Sequence, residues 1–108
     1  MVKGLGGMGN IFKQAQELQG RMAQVQEELG RKTVDASAGG GMVQVTVNGQ
    51  FVLSRITVDP AVVNPQEKEM LEDLILAAVN EGLRRAREMA SEEMSKVTGG
   101  LKIPGLMP

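Results

Sequence analysis

The sequence predicts an α+β domain of order α-β-β-β-α, with a three-stranded antiparallel sheet between two long projecting helices. Three features predict it: a narrow apolar stripe at helical spacing, a middle of alternating segments joined by glycine-containing turns, and a proline-opened helical run. A chain of 108 residues suits one domain. The expected organisation is a flexible glycine-rich leader at 1–9, one domain at 10–98, and a flexible glycine- and proline-containing tail at 99–108.

In the first helix, Ile11, Ala15, Leu18, Met22, Val25 and Leu29 recur at intervals of 4, 3, 4, 3 and 4. That is one stripe of a helix over 11–31, with Asn10 placed to cap it. Five glutamines stand among the polar residues between (Gln14, Gln16, Gln19, Gln24 and Gln26). Spacing this strict suits a seam against another helix.

Thr33 to Ala38 alternates as a strand, and Gly39-Gly40-Gly41 ends it. Met42 to Asn48 alternates again, and Asn48-Gly49 signals a two-residue hairpin returning through Gln50 to Val58. That turn pairs Val47 with Gln50, Val45 with Val52 and Val43 with Ser54. One face then carries Val43, Val45, Val47, Val52, Ile56 and Val58; the other carries Met42, Gln44, Thr46, Phe51, Leu53 and Arg55. Apolar residues on both faces require cover, either from a second subunit or from one helix of the same chain on each face. With only two phenylalanines, the eight methionines join leucine and valine in filling the core.

The second helix opens at Asn64-Pro65-Gln66-Glu67, where Asn64 caps and Pro65 takes the first position. It runs to about Thr98, before Gly99-Gly100. Leu71, Leu74, Ile75, Ala78 and Gly82 form one stripe, read as domain core. Leu76, Val79, Leu83, Ala86, Ala90 and Val97 form another, read as the face for a partner helix. A homodimer built on these surfaces places Phe51, Leu53, Leu76, Val79 and Leu83 at its interface.

The net charge of −1 does not by itself favour a polyanion partner, but its distribution is uneven. Residues 1–32 carry +2, 33–64 carry −1, 65–81 carry −4 and 82–108 carry +2. Antiparallel packing of the helices brings the two basic segments together, although acids at a helix start and bases towards its end also suit the helix dipole. The cluster Arg84, Arg85 and Arg87, with Lys96 further along the same helix, makes a candidate phosphate-binding set. A compact monomer with those arginines neutralised by neighbouring glutamates would overturn that assignment.

Several functions are disfavoured. Without cysteine there are no disulfides or thiolates, and without histidine the commonest general base and metal ligand are missing. Ser54, Ser91 and Ser95 therefore lack an activating histidine. Neither a catalytic nor a metal site is expected, nor any cofactor or small-molecule substrate. Gly4-Leu5-Gly6-Gly7-Met8-Gly9 matches a dinucleotide fingerprint, but too few residues precede it to supply the strand that the mechanism needs. No run is long enough to cross a bilayer and no signal peptide opens the chain, so a cytoplasmic address is expected.

The ordered set of motifs resembles one family. Met8-Gly9-Asn10, Lys13-Gln14-Ala15-Gln16, Ala38-Gly39-Gly40-Gly41, Asn48-Gly49 and Val58-Asp59-Pro60 are similar to YbaB/EbfC proteins. So are Met70-Leu71-Glu72-Asp73-Leu74-Ile75, Ala77-Ala78-Val79-Asn80 and Thr98-Gly99-Gly100-Leu101 with Pro104-Gly105. The resemblance implies a homodimer with tweezer-like helical arms that binds double-stranded DNA, associates with the nucleoid, alters DNA conformation and affects gene expression. It implies contact through the arms, where Lys13, Arg21, Arg84, Arg85 and Arg87 match. Gly82 stands where an alanine is expected, and would loosen the arm. The competing reading is a helical protein-interaction adaptor that does not touch DNA.

Overall fold

A computed structural model describes the backbone of residues 2–98 and the side chains of residues 9–98. Its elements are helix α1 (Val2–Leu29), strands β1 (Thr33–Ala38), β2 (Val43–Asn48) and β3 (Leu53–Val58), and helix α2 (Lys68–Thr98). The strands form one antiparallel sheet in the order β1-β2-β3. The molecule is elongated, 78 × 25 × 16 Å.

Helix α1 starts at Val2, well before the expected cap at Asn10. Helical backbone thus covers the glycine-rich stretch read as a leader, dinucleotide-like motif included. Glycine is a poor helix former, at about 1 kcal/mol relative to alanine, but no proline interrupts this segment. Extending an existing helix gains one hydrogen bond per residue without a new nucleus. The proposed tail at 99–108 lies outside the described residues.

The β2–β3 hairpin differs from expectation. Val43 faces Val58, Val45 faces Ile56, and Val47 faces Leu53, with a bulge beside Thr46 and Val47. The side chain of Asn48 is the cause. Its Oδ1 accepts from the backbone N–H of Gln50 at 2.8 Å and of Val52 at 3.0 Å. The Asn48 N–H donates to the Val52 carbonyl, while Phe51 adopts a left-handed φ of 66°. The Gly49 N–H is directed to the carbonyls of Leu29 and Lys32, tying the turn to the end of α1. A four-residue loop therefore replaces the two-residue turn. The bulge moves Leu53 from the face where alternation put it to the position opposite Val47.

One face of the sheet packs against α2. Val43, Val45 and Val47 are fully buried, and they meet Ala36 of β1 and Ala78, Gly82 and Ala86 of α2. A spacing of four keeps these three small residues on one side of the helix, so its backbone approaches the sheet closely. That approach leaves no room for long side chains, so the described methionines are not core residues; Met42 and Met70 are exposed. Gly82 is not a loosening element either. It is buried, and it permits the close approach.

Helix α2 lies over β1 and β2 and leaves β3 largely uncovered. Leu53 and Ile56 consequently remain 37% and 44% exposed. The opposite face of the sheet is polar, with Asp35, Ser37, Gln44, Thr46, Arg55 and Thr57, and needs no apolar cover.

Candidate nucleic-acid interface

The two helices run antiparallel beside the sheet. Gln26 of α1 contacts Met94 of α2, and Lys32, just past α1, pairs with Glu93 at 2.9 Å. From this register, Thr98 lies near Met22, and α1 continues outward beyond the end of α2. The stripe loses its cover outward: Leu18, Met22 and Val25 are half-buried, whereas Ile11 is 68% exposed.

The arginine cluster sits at the level of the sheet, not at the tip of the arm. Gly82, just before it in sequence, and Ala86, within it, pack on the sheet, and the Arg85 guanidinium donates to the carbonyl of Asp35 at 2.8 Å. Moving outward, Lys96 comes next, near Gln24 of α1, then Arg21 and finally Lys13. From Arg84 to Lys13 the row covers roughly 35 Å, from about 1.5 Å per helical residue. The six candidate residues are all exposed, yet they do not converge on one patch. At 100° per residue, Lys13 points away from the packed stripe of α1 and Arg21 lies on its flank.

Pairing divides these cations further. Arg84 is held by both Glu81 and Glu88, and Arg85 Nε donates to Glu81 Oε1 at 3.1 Å. Hydrogen bonds from Arg84, then Arg85, hold the Glu81 carboxyl at a pKa of about 2, and Glu81 in turn raises that of Arg84. Lys96 pairs with Glu93, whose pKa is lowered first by its hydrogen bond from Lys32 and then by that from Lys96. Lys13, Arg21 and Arg87 form no ion pair among the described residues. Neutralisation by neighbouring glutamates thus holds for Arg84 and Arg85, while the compact shape that would accompany it does not.

Arg55 is not among the candidates; strand alternation places it on the mixed face with Phe51 and Leu53, which the bulged register makes polar. It is exposed, makes no ion pair among the described residues, and lines a depression that Arg85 also lines. The other exposed features are apolar. Leu76 is 60% exposed and Phe51 50%, whereas Val79 and Leu83 are half-buried against their own chain's core. Among the described residues, no group of acidic side chains is arranged to hold a metal ion. No described helix is long and apolar enough to cross a membrane.

Comparison with known proteins decides the family. The sequence profile of the YbaB/EbfC DNA-binding family matches residues 4–101. The chain belongs to the YbaB/EbfC DNA-binding family. It is 54% identical over 102 residues to a nucleoid-associated protein of Moorella thermoacetica, covering 94% of this chain and 98% of that one. With nucleoid-associated proteins of Syntrophobacter fumaroxidans and Acetivibrio thermocellus it shares 58% identity, covering 90% and 94% of this chain and 88% and 90% of theirs. The fold resembles the crystal structure of an uncharacterized protein from Helicobacter pylori, with a TM-score of 0.68 at 22% identity over 76% of this chain and 86% of that one. A YbaB/EbfC chain is defined by DNA binding and not by a reaction, in agreement with the non-enzymatic expectation.

Proposed function

We propose that this YbaB/EbfC chain is a nucleoid-associated protein that binds duplex DNA as a homodimer, altering its conformation and thereby gene expression. The DNA-binding family carries the first part of the reading. Geometry supports it through a row of exposed cations spread over roughly 35 Å, close to the 34–36 Å of one turn of B-form DNA. Lys13, Arg21 and Arg87 are the members free to meet phosphates without first giving up a carboxylate, so they are the primary contacts. Arg84, Arg85 and Lys96 contribute after exchanging a glutamate for a phosphate.

Self-association is supported by apolar surface on the side away from Arg85. On α2, Leu76 and Leu83 lie on the flank opposite Arg85, which marks the β1 edge. The flank therefore faces the side of the uncovered strand β3, with its exposed Leu53 and Ile56. A second copy would cover this strip together with Phe51.

A salt series of duplex-DNA gel shifts tests the reading, alongside sedimentation of the free protein. Affinity is expected to fall steeply with salt, as counterion release requires. Replacing Lys13, Arg21 and Arg87 together with alanine is expected to abolish most of the shift. Absence of duplex binding, or binding insensitive to salt, overturns the proposal.

A further inference from the structure

The register places two polar rows across the open face of the sheet: Asp35, Thr46 and Arg55 in one, and Ser37, Gln44 and Thr57 in the other. With strands about 4.8 Å apart and alternate residues about 6.6 Å apart, the rows frame an area of roughly 10 × 7 Å. A depression of about 340 Å³ lies over it. Its second guanidinium comes from a different element: Arg85 of α2 reaches round the β1 edge, donates to the Asp35 carbonyl, and lines the same space. A merely solvated sheet face needs no arginine brought to it from a helix.

We infer that this face is a binding site for a small phosphorylated sugar, centred on the sheet and sharing only Arg85 with the proposed DNA contacts. Arg55 supplies the forked donors that suit a phosphate group, and Arg85, on the opposite rim, adds the guanidinium hydrogens that Glu81 and the Asp35 carbonyl do not take. Asp35 makes the site unsuited to a bare anion. Its Oδ1 accepts from the Thr46 hydroxyl at 2.8 Å, and the remaining carboxylate capacity suits a ligand hydroxyl. Gln44, Ser37 and Thr57 add donors and acceptors for a polyol. The chain's two aromatic residues, Phe12 and Phe51, do not line the depression, so it offers no aromatic platform for stacking a base. Sugar and phosphate, and not a nucleobase, therefore define the ligand class.

Titration of the full-length protein with ribose 5-phosphate, followed by amide NMR shifts, tests the inference. Saturable shifts are expected at Ser37, Thr46, Arg55 and Thr57. Arg55→Gln is expected to weaken the response about tenfold, the loss of a charge-assisted contact. Asp35→Asn is expected to reduce the preference for ribose 5-phosphate over inorganic phosphate. Both residues are exposed, and circular dichroism checks that each variant folds. No shift at these amides, or equal affinity for inorganic phosphate, overturns the site. Duplex DNA that displaces ribose 5-phosphate, with gel shifts lost in Arg55→Gln, also overturns it and makes the face part of the DNA surface. Unchanged gel shifts in that variant keep the two sites distinct.

Discussion

Gly82 lies so close to Val47 that a Cβ on the glycine would stand 2.8 Å from the valine γ2 methyl, and 3.0 Å from that of Val45. Both valines are fully buried and β-branched, so neither has a free rotamer to turn into. Alanine at this position would gain about 1 kcal/mol of helix propensity. Overpacking in a dense core costs about 1–3 kcal/mol. Gly82→Ala is therefore expected to lose about 1 kcal/mol net, read as a lower urea midpoint, and Gly82→Leu considerably more. An alanine variant more stable than the parent would show that the helix can lift from the sheet at little cost.

The hairpin rests on one side chain. Asn48 accepts two backbone N–H groups and donates its Nδ2 to the carbonyl of Gly30 at 3.3 Å. Asn48→Ala leaves those partners without it, at a cost of about 2 kcal/mol. Asn48→Asp keeps the accepting oxygen but sets its second carboxylate oxygen against the Gly30 carbonyl, so it should lose less than Asn48→Ala while staying below the parent. Urea unfolding of the two variants separates the accepting role from the mere presence of a polar residue. Equal losses would mean that the two accepted hydrogen bonds do not hold the loop.

The same asparagine shows where the sequence could be read and where it could not. Element order, strand β1 and the capping role of Asn64 follow from local pattern, because caps and periodicity act within a few residues. Asn64 Oδ1 accepts from Gln66 N–H as that pattern implies, but the turn it caps is a short 3-10 one, Pro65–Glu67, that leads into α2 at Lys68. The hairpin register did not follow, because Asn48-Gly49 is equally a two-residue turn until the Gly49 N–H finds the end of α1, some twenty residues earlier. Gly82 looked like a weakness for the same reason; its value lies in Val45 and Val47, distant in sequence. At the candidate interface, exposure of the cations was legible, but their pairing was only partly so. Glu81 and Glu88 stand at helical spacing from Arg84, whereas Lys32 meets Glu93 only through the tertiary fold.

Leu76 offers a clean test of self-association. It is 60% exposed, so its own chain has little use for it, unlike the half-buried Val79 and Leu83. Leu76→Glu is expected to leave the helical circular dichroism intact and to shift the sedimenting mass from two chains to one. The cause is a charge that a second copy would have to desolvate. An unchanged dimer mass would remove Leu76 from the interface.

Glu81 sets how readily Arg84 and Arg85 can turn to a phosphate. Its carboxyl falls from an ordinary 4.5 to about 2, first through the hydrogen bond from Arg84 and then through that from Arg85. A folded-state value below the unfolded one adds stability that is complete above about pH 4.5 and is lost as the pH falls towards 2. The carboxylate is therefore ionised throughout pH 5–8 and competes with DNA at every pH in that range, about equally. Glu81→Gln removes the competitor without removing a cation. It is expected to tighten duplex binding severalfold and to steepen the salt dependence by up to about one phosphate contact, a slope change near −0.9. The Glu81 carboxyl carbon should titrate near 2 by NMR, and near the ordinary value when Arg84 and Arg85 are replaced by alanine. Titration near 4.5 in the parent, with gel shifts indifferent to Glu81→Gln, would mean that the carboxylate leaves both arginines free in solution.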